Sequence, residues 1–536
     1  MISSSEITVA ALLIDRLKQR GLKRFFGVPG GGSSMDLIDA GRRAGLEFVL
    51  SRREDSGMIM ASVTAWLSNA PGLALATKGP GLTSGTNGVA AACLDRAPVM
   101  FVSDGFGTDE RDYVSHQFFD QSSVIDPITK ATSTLSGNNP SAEIDQLLAI
   151  MCQSPKGPTY VELTGGNAKR MVPATKKSES TGTAAFVGNI GAVRTMVAAA
   201  HRPVIVAGLE SASGGNASSV RLFAEALGAP VLLTYMAKGV VPDGHANFTG
   251  IFTGGQAEYP CVSQADLIIL VGLDPVEMIR KPWAYDAPVV DIGEVRHDKH
   301  YVTPTEGLHG PISQILVQLT DGLSTSDWDY SEIASHRDTF FQAMTFPSRP
   351  GLTPVSIVQA TAEAFEGAPR LAVDAGAHMF SAVAFWPASL PHDVLISNGL
   401  ATMAFALPAA VAAAMHDPER GAVAMTGDGG LMMCMGELVT AVQQNANLTV
   451  IVFNDGALSL IDIKRQEIQL PDLGFTWNRP DFAAAAKGLG LESWRVVTAE
   501  ELMSALDAAT DHKGPSLIDV VLDPDGYLEQ MRALRG

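Results

Sequence analysis

Short apolar runs alternate with longer amphipathic segments along most of the chain. The runs stand at 24–28, 73–76, 99–103, 159–163, 203–207, 230–233, 267–271, 289–292, 422–426 and 448–453. Continuous apolar runs of this kind are typical of strands buried on both faces, and intervening segments such as 9–20 show the spacing of an amphipathic helix. Regular alternation of strand and helix predicts parallel sheets with helices on both faces.

The elements fall into three groups, which predict three doubly wound α/β domains. The chain has 536 residues, enough for about three or four domains by length. We place the first domain at 1–172, the central domain at 187–325 and the third at 355–536. A polar stretch at 173–182 and a proline-containing stretch at 324–354 predict the connectors between them.

Charge and targeting signals limit the possible partners. The chain carries 38 Lys and Arg against 57 Asp and Glu, a formal net charge of −19, which disfavours nucleic acid and anionic membranes. The first residues lack a signal-peptide pattern, and the longest apolar stretch, 400–415, is short for a membrane span and contains Pro408. We therefore expect a soluble, cytoplasmic protein that acts on a small molecule.

The most specific chemistry lies in two acidic loops of the third domain. Gly-Asp-Gly-Gly at 427–430 follows one apolar run, and Asn-Asp at 454–455 follows the next. A right-handed crossover makes the two strands parallel, so both loops emerge at the sheet edge where α/β folds bind ligands. Asp428 and Asp455 can then converge on a hard cation such as Mg²⁺. The glycines allow a diphosphate to approach, and a helix beginning near Gly430 offers it unpaired N–H groups.

These two motifs and their spacing resemble the fingerprint of thiamine diphosphate (ThDP) enzymes. Over nearly its whole length the chain is similar to the group of acetolactate synthase, benzaldehyde lyase and benzoylformate decarboxylase. The resemblance implies the ThDP-binding fold, in which pyrimidine-binding and diphosphate-binding domains of one shared fold flank a Rossmann-like central domain. It also implies ThDP as cofactor and Mg²⁺ held by Asp428, Asp455 and the backbone carbonyl of Ala457.

Further motifs match the family's cofactor contacts. Residues 374–379 resemble a turn that contacts the diphosphate. Residues 398–408 resemble the family's Gly-Thr-Met-Gly-Phe-Gly-Leu-Pro, in which a bulky apolar residue, here Met403, props the cofactor in a bent shape. A methionine among alanines is otherwise ordinary core filler. The resemblance implies cofactor contacts at Gly30, Gly79, Pro80, Gly376, Ala377, His378, Gly399, Ala401, Met403, Gly427, Gly429, Gly430, Leu458 and Ser459.

Glu54 is the candidate catalytic acid. Residues 53–61 stand where the family carries a motif like His-Glu-x-x-Ala-x-x-Ala, whose glutamate hydrogen-bonds the cofactor's aminopyrimidine ring and promotes its proton transfers. Arg53 replaces the usual histidine. The alternative is a solvated carboxylate at a helix start, stabilised by the helix dipole.

Lys78 is a candidate substrate contact. It stands in a segment, 77–83, that resembles the family's Thr-Ser-Gly-Pro-Gly loop, at a position where small hydroxyl residues are usual. Its ammonium can pair with a carboxylate or phosphate of the substrate. Alternatively, Lys78 reaches solvent or pairs structurally with Asp95 or Glu54.

His116 and Gln117 are two further candidates. They belong to the run 109–130, which resembles a segment of benzaldehyde lyase and acetolactate synthase. In that family a glutamine or histidine of this segment points at the oxygen of the reacting carbon. The alternative is a pair of surface-loop residues without a catalytic role.

The resemblance implies a ThDP- and Mg²⁺-dependent 2-oxo acid decarboxylase or carboligase similar to acetolactate synthase. Its substrate would be a 2-oxo acid or a hydroxyketone. Ile461 stands where pyruvate decarboxylases carry a glutamate, which disfavours simple pyruvate decarboxylase chemistry. In the family the catalytic glutamate and the fingerprint aspartate meet across a subunit boundary, so a homodimer or homotetramer is expected. FAD is possible in the central domain, and no motif decides for or against it.

Three alternatives stay open. A ThDP-dependent carbon–carbon lyase, similar to benzaldehyde lyase or 2-hydroxyacyl-CoA lyase, would differ only in the electrophile. An NAD-dependent dehydrogenase would suit the doubly wound pattern, although the sequence lacks a Rossmann glycine fingerprint. A non-catalytic, ThDP- or FAD-binding regulatory paralogue would not need Glu54 and Asp428, and the sequence keeps both.

Overall fold

Three six-stranded parallel sheets form the framework of the computed structural model, which describes residues 6–110, 112–174, 185–346, 351–524 and 526–536. This confirms the predicted α/β class. The sheets use strands within 24–164, 203–309 and 370–521, and the exact domain boundaries stay a prediction. Most of the predicted connector 173–182 lies outside the described residues. No helix among the described residues is long and apolar enough to cross a membrane.

The first domain has strands β1 (Glu6–Thr8), β2 (Arg24–Val28), β3 (Glu47–Leu50), β4 (Gly72–Ala76), β5 (Val99–Gly105), β6 (Thr132–Ser133), β7 (Thr159–Thr164) and β8 (Met171–Pro173). Its helices are α1 (Val9–Lys18), α2 (Ser33–Ala44), α3 (Glu54–Ser68), α4 (Pro80–Leu94), α5 (Gln121–Ile125), α6 (Pro140–Cys152) and α7 (Gly165–Lys169). The sheet runs in the order β3-β2-β4-β5-β7-β6, and β1 pairs with β8 in a separate antiparallel ribbon.

Helix α1 shows how the local sequence determines these elements. The Thr8 hydroxyl accepts a hydrogen bond from the Ala11 N–H at 3.2 Å, which satisfies one of the donors left open in the first turn. Residues at helical spacing, such as Leu13 and Leu17, are fully buried in the core of this domain. The helix ends at Lys18, earlier than predicted, because Gly21 turns the chain with a φ of 101°.

The central domain has strands β9 (Pro203–Ala207), β10 (Val231–Leu233), β11 (Phe248–Ile251), β12 (Leu267–Val271), β13 (Val289–Gly293) and β14 (Glu306–His309). Its helices are α8 (Ile190–Ala199), α9 (Asn216–Leu227), α10 (Tyr259–Val262) and α11 (Ile312–Thr320). The sheet order β11-β10-β9-β12-β13-β14 is the doubly wound order of dinucleotide-binding folds. The central domain is therefore Rossmann-like, as the resemblance implies.

The predicted connector 324–354 contains a helix, α12 (Tyr330–Ala343), which was not predicted from the sequence. A capping box begins the helix: Asp329 accepts a hydrogen bond from the Ser331 N–H at 2.7 Å, and its own N–H donates to Glu332 at 3.2 Å. Phe340 is buried and gives the helix its apolar contact with the core. The Asp-x-x-Glu signal was present in the sequence, beside prolines that favour a loop.

The third domain has strands β15 (Arg370–Val373), β16 (Val394–Ile396), β17 (Ala422–Gly427), β18 (Leu448–Asn454), β19 (Glu492–Val496) and β20 (Ser516–Val521). Its helices are α13 (Pro354–Ala364), α14 (Met379–Phe385), α15 (Ala406–His416), α16 (Asp428–Cys434), α17 (Glu437–Gln443), α18 (Ser459–Glu467), α19 (Phe482–Gly488), α20 (Ala499–Asp511) and α21 (Tyr527–Arg535). The sheet order is β16-β15-β17-β18-β20-β19. If the six strands of each sheet are numbered in chain order, the first and the third sheet both have the order 2-1-3-4-6-5. The two domains therefore share one topology.

Strands β17 and β18 are parallel neighbours, as their apolar pattern predicts. The segment between them differs from the expected single helix because it forms α16 and α17, separated at Gly436. Helix α16 also begins at Asp428, two residues before the predicted start, and the Asp428 carboxylate accepts a hydrogen bond from the next N–H, that of Gly429. The fingerprint aspartate is therefore itself the first residue of the helix.

Candidate functional site

Two loops at the carboxyl edge of the third sheet bring Asp428 and Asp455 to one place. The loop after β17 and the loop after β18 open at the same edge because the strands are parallel. The Gly456 N–H donates to Asp428 Oδ2 at 2.8 Å and ties the second loop to the carboxylate of the first. The Gly429 N–H donates to Asp428 Oδ1, also at 2.8 Å. Asp428 is thereby held in one orientation and is 2% exposed.

Burial and mutual repulsion disfavour the ionised forms of the Asp428 and Asp455 carboxylates. Burial raises the pKa of Asp455 to about 7; a hydrogen bond from the Ser459 hydroxyl at 2.6 Å opposes this rise, and the charge of Asp428 adds to it. Burial also raises the pKa of Asp428, against hydrogen bonds from neighbouring N–H groups and from the Trp477 indole. A bound cation would offset both desolvation and mutual repulsion. The Ala457 N–H donates to Asp455 Oδ1 at 3.1 Å, and this hydrogen bond orients the Asp455 carboxylate.

A cavity of about 240 Å³ opens beside these carboxylates. Most of the site residues predicted in the third domain line it: Gly376, Ala377, His378, Ala401, Met403, Gly427, Asp428, Gly429, Gly430, Asp455, Ala457, Leu458 and Ser459. Gly399 precedes Ala401 in the same loop and lies outside the lining. The structure therefore brings the predicted third-domain residues together at one cavity, with Gly399 as the exception.

Glycine is required at the floor of the cavity. A Cβ on Gly430 would come within 2.2 Å of Asp374 Oδ2, so no larger residue fits there. A Cβ on Gly429 would lie 3.2 Å from the Leu458 side chain and 3.4 Å from Met403 Cε. The backbone of the motif is thus left open to a bound group.

His378 contributes a neutral imidazole to the cavity wall. Burial lowers its pKa to about 4, and a hydrogen bond to the Met425 backbone acts in the opposite direction. The ring stacks on Phe453, with centroids 5.0 Å apart. Its Nε2 atom is buried and has no hydrogen-bond partner among the described residues, which suits a polar ligand. Arg535 adds a guanidinium to the same cavity.

Asp374 fixes two of the segments that line the cavity. Its Oδ1 accepts hydrogen bonds from the N–H groups of Phe405 and Ala406 at 2.6 and 2.7 Å. Its Oδ2 accepts a hydrogen bond from the Thr426 hydroxyl at 2.6 Å. This buried carboxylate therefore holds the loop that carries Met403 against the end of β17.

The loop around Met403 has a strained backbone. Ala401 and Ala404 have φ values of 54° and 65°, in the left-handed region. Each such residue costs about 1–2 kcal/mol relative to a glycine in the same conformation. The family motif that this segment resembles has glycine at both positions, a residue that adopts positive φ values without this cost.

In the first domain, Asp104 at the end of β5 has a similar organising role. Its Oδ1 accepts hydrogen bonds from the Ser33 hydroxyl at 2.8 Å and from the Ser34 N–H and hydroxyl at 2.7 and 2.8 Å. A Cβ on Gly30 would come within 2.2 Å of Asp104 Oδ2 and 2.3 Å of Thr77 Oγ1. Gly30 is therefore a glycine because its turn packs closely on the segment that follows β4.

Glu54 is the first residue of α3 and is half-buried. Its Oε1 lies 3.2 Å from the position that a Cβ on Gly81 would take, so the carboxylate faces the first turn of α4. The turn before it is anchored on the buried Glu437, whose Oε1 accepts hydrogen bonds from the N–H groups of Arg52 and Arg53 at 2.9 and 3.1 Å. This anchoring fixes where α3 begins and hence where Glu54 points.

The other predicted polar residues of the first domain lie around Gly79. The Lys78 Nζ lies 4.2 Å from the centroid of the Phe106 ring, a cation–π contact that the sequence alternatives did not include. A Cβ on Gly79 would come within 2.9 Å of the Gln117 carbonyl oxygen, so the 116–117 segment packs on this glycine. His116 and Gln117 are both exposed. Pro80, the next residue after Gly79, begins α4.

Three family models match the chain in order. The thiamine pyrophosphate enzyme N-terminal TPP binding domain matches residues 7–124, the central domain matches 190–319, and the C-terminal TPP binding domain matches 374–520. The chain belongs to the thiamine pyrophosphate enzyme family. Its two similar sheets are the sheets of the N-terminal and C-terminal TPP binding domains.

This thiamine pyrophosphate enzyme is similar to acetolactate synthases along nearly its whole length. It is 25% identical to an acetolactate synthase of Bacillus subtilis, over 96% of this chain and 93% of the relative. It is 26% identical to the acetolactate synthase isozyme 3 large subunit of Escherichia coli, over 100% and 97%. A putative thiamine pyrophosphate-containing protein of Bacillus subtilis, YdaP, is 28% identical over 96% and 92%. The enzyme therefore falls in the acetolactate synthase group.

The cavity of the thiamine pyrophosphate enzyme fits the diphosphate end of its cofactor. The Arg535 guanidinium is a donor that suits phosphate oxygens, and the buried His378 Nε2 can donate to them as an imidazolium, the form that the charge of a bound diphosphate favours. Gly429 leaves the backbone accessible, because a Cβ there would point at the cavity-lining Leu458 and Met403. Asp428 and Asp455 are oxygen ligands of the type that a diphosphate-bound Mg²⁺ prefers. The donor set therefore matches a metal diphosphate better than a neutral apolar ligand.

Several residues that organise the predicted segments, two in the first domain and four in the third, were not predicted from the sequence: Asp104, Gln121, Asp374, Trp477, Tyr527 and Arg535. Gln121 is representative, because its Oε1 accepts the Gly79 N–H at 2.9 Å while its Nε2 donates to the Asp104 carbonyl at 3.1 Å. Asp374 was part of a recognised motif, but its bonds to a distant loop gave no sequence signal. For Arg535, near the end of the chain, no motif pointed to the cavity.

Proposed function

We propose that this thiamine pyrophosphate enzyme is a Mg²⁺-dependent 2-oxo acid decarboxylase or carboligase similar to acetolactate synthase. The observation that carries the proposal is the pairing of Asp428 and Asp455 at neighbouring strand ends, joined by the Gly456 N–H. Similarity to acetolactate synthases over at least 96% of this chain supports the reaction class.

In this proposal the third domain holds the cofactor through its diphosphate. Asp428, Asp455 and the Ala457 carbonyl would hold Mg²⁺. Arg535 would donate hydrogen bonds to diphosphate oxygens, and His378 would do so as an imidazolium that the diphosphate charge favours. Bound ThDP supplies an electron sink that allows the carbon–carbon bond beside a carbonyl group to break or form. The protein contributes position, a cation site and partial exclusion of water.

Glu54 would act on the aminopyrimidine end of the cofactor. Its carboxyl oxygen would hold a proton against a ring nitrogen and move it as the ring changes tautomer. The half-buried position at the start of α3 and the neighbouring Gly81 support this role, because a flat ring can approach the carboxylate only where side chains are small.

A panel of 2-oxo acids tests the proposed reaction class. With ThDP and Mg²⁺ present, we expect CO₂ release from at least one 2-oxo acid and a coupled hydroxyketone or 2-hydroxy-3-oxo acid product. Cleavage of hydroxyketones without CO₂ release would favour the alternative lyase. Absence of ThDP-dependent turnover with every donor would contradict the proposal.

The proposed active enzyme is a homo-oligomer. Met432 and Met433, which follow the cation motif, are 55% and 53% exposed, and Met35, beside the Gly30 turn, is 58% exposed. Large apolar side chains are thus exposed beside the predicted site residues of the third domain and beside those of the first domain. This exposure supports an interface in which a second copy of the chain covers these methionines.

Mixing two inactive variants tests whether active sites are shared between copies. We expect Glu54→Gln and Asp428→Asn chains to be inactive alone. Co-expressed with different tags, they should recover about a quarter of wild-type activity, because half of random dimers are hybrids with one intact site of two. Hybrids that form but stay inactive would show that each chain carries its own complete site.

Replacing Lys78 tests whether it binds an anionic substrate. We expect Lys78→Met to raise the KM for the true 2-oxo acid by about tenfold with little change in kcat, because a charge-assisted contact is lost while the chemistry is kept. The measurement is steady-state kinetics, with Lys18→Met on α1 as the matched control. An unchanged KM would show that Lys78 does not bind the substrate and that its contact with the Phe106 ring is structural.

A further inference from the structure

The central sheet has a topological switch point between β9 and β12. The strand order places the loops after these strands on opposite sides, and open α/β sheets take their ligands in the crevice between such loops. Three side chains that can hold a metal ion meet at this carboxyl edge: Glu210 after β9, Asp274 after β12 and His297 after β13. Their ligand atoms all lie within 4.8 Å of one another.

The geometry of this group suits a single ion. Glu210 and Asp274 are 7% and 1% exposed, so both carboxylates are buried. The His297 Nε2 lies 3.7 Å from Glu210 Oε1. Two ligand atoms bound to one tetrahedral ion of the size of zinc are about 3.4 Å apart, so this distance is close to that of a metal site. The Glu294 N–H donates to Glu210 Oε2 at 2.8 Å, and the Val276 N–H donates to Asp274 Oδ1 at 3.0 Å. These hydrogen bonds orient the two carboxylates.

The surroundings add further acidic groups. Glu277 lies on the turn after β12 and Asp291 on β13, and both are buried. The two buried carboxyl groups of Glu210 and Asp274 beside His297 favour a bound cation over a bound anion.

A dinucleotide, including FAD, does not fit this edge. Phosphates in such folds bind backbone N–H groups of the first strand-to-helix turn, but here the Leu209 N–H donates to Glu277 Oε2 at 2.8 Å. A Cβ on Gly208 would come within 2.4 Å of the Leu273 Cα and 2.7 Å of the Glu277 carboxylate, so the turn is closed against its neighbour. The protein's own carboxylates therefore take the donors that a pyrophosphate would need.

We propose that the switch point of the central sheet binds a divalent transition-metal ion, of the manganese or zinc class, through Glu210, Asp274 and His297. Two carboxylates and an imidazole are a ligand set of that class. The site is distinct from the proposed Mg²⁺ site of the third domain, which offers only oxygen ligands. Its ion would tie together the turns after β9, β12 and β13.

Manganese titration of the full-length enzyme, followed by electron paramagnetic resonance, tests this proposal. With ThDP and Mg²⁺ saturating, we expect one Mn²⁺ per chain whose spectrum shows ¹⁴N hyperfine coupling from the imidazole. His297→Gln should abolish the coupling and weaken Mn²⁺ binding at least about tenfold. His201→Gln is the matched control, because His201 lies in the same domain, is exposed and pairs with Asp327.

Thermal unfolding keeps the test valid if a variant folds poorly. Mn²⁺ should raise the Tm of the wild type and of His201→Gln, and should not raise that of Asp274→Asn. Wild-type protein without ¹⁴N-coupled Mn²⁺ would overturn the proposal. Coupling that persists in His297→Gln, or purified protein that carries a stoichiometric flavin, would overturn it as well.

Discussion

Glu54→Gln is expected to abolish turnover while leaving the affinity for ThDP and Mg²⁺ nearly unchanged. Glutamine keeps the size and polarity of the side chain but cannot move a proton at the ring nitrogen, and general acid–base groups contribute about a hundredfold to ten thousandfold in rate. The cation site is built from residues of the third domain, so it should be unaffected. Steady-state kinetics together with calorimetric cofactor titration separates the two effects.

Asp55→Asn is the matched control for this prediction. Asp55 is the next residue of the same first helical turn, and its Oδ1 accepts a hydrogen bond from the Arg53 side chain at 3.0 Å. We expect its replacement to change kcat by no more than a few-fold. Glu54→Gln enzyme that retains substantial activity would show that Glu54 is only a helix-start carboxylate.

Asp428→Asn is expected to weaken ThDP binding at least about a hundredfold in magnesium buffer. The substitution removes one of two charged ligands and leaves the neutral amide to face the cation, and a lost contact of this kind costs about 3 kcal/mol. The fold should persist because the Gly456 N–H can still donate to the amide oxygen. Calorimetry gives the affinity, and circular dichroism checks the secondary structure.

A distant aspartate separates this effect from a general loss of charge. Asp507 lies on α20 and is exposed, so Asp507→Asn should bind the cofactor like the wild type. If Asp428→Asn also binds ThDP with undiminished affinity, Asp428 is not a cation ligand.

The sequence was most informative where physical chemistry is local. Strands β9 and β12 coincide with apolar runs predicted at 203–207 and 267–271, because strands buried on both faces are continuously apolar. The meeting of the loops after β17 and β18 follows from one parallel crossover, which fixes the edge at which both open. The sequence therefore predicts that the motifs of these two loops lie at the same edge of the sheet.

The sequence was least informative where single polar residues act over long distances. Asp374 bonds to N–H groups 31 and 32 positions away, and Gln121 bonds to one 42 positions away. No periodicity accompanies such contacts, because each depends on tertiary packing of loops. The cluster around Glu210 is of the same kind, since its members come from three different turns.

Titration of ThDP into the cofactor-free wild-type enzyme, with Mg²⁺ and then with EDTA, tests the central claim most directly. The account predicts one saturable site per chain in magnesium and affinity at least about a hundredfold weaker in EDTA, because the buried carboxylates of Asp428 and Asp455 would then repel the diphosphate. Equal affinity in the two buffers would contradict the claim that a divalent cation joins these carboxylates to the cofactor.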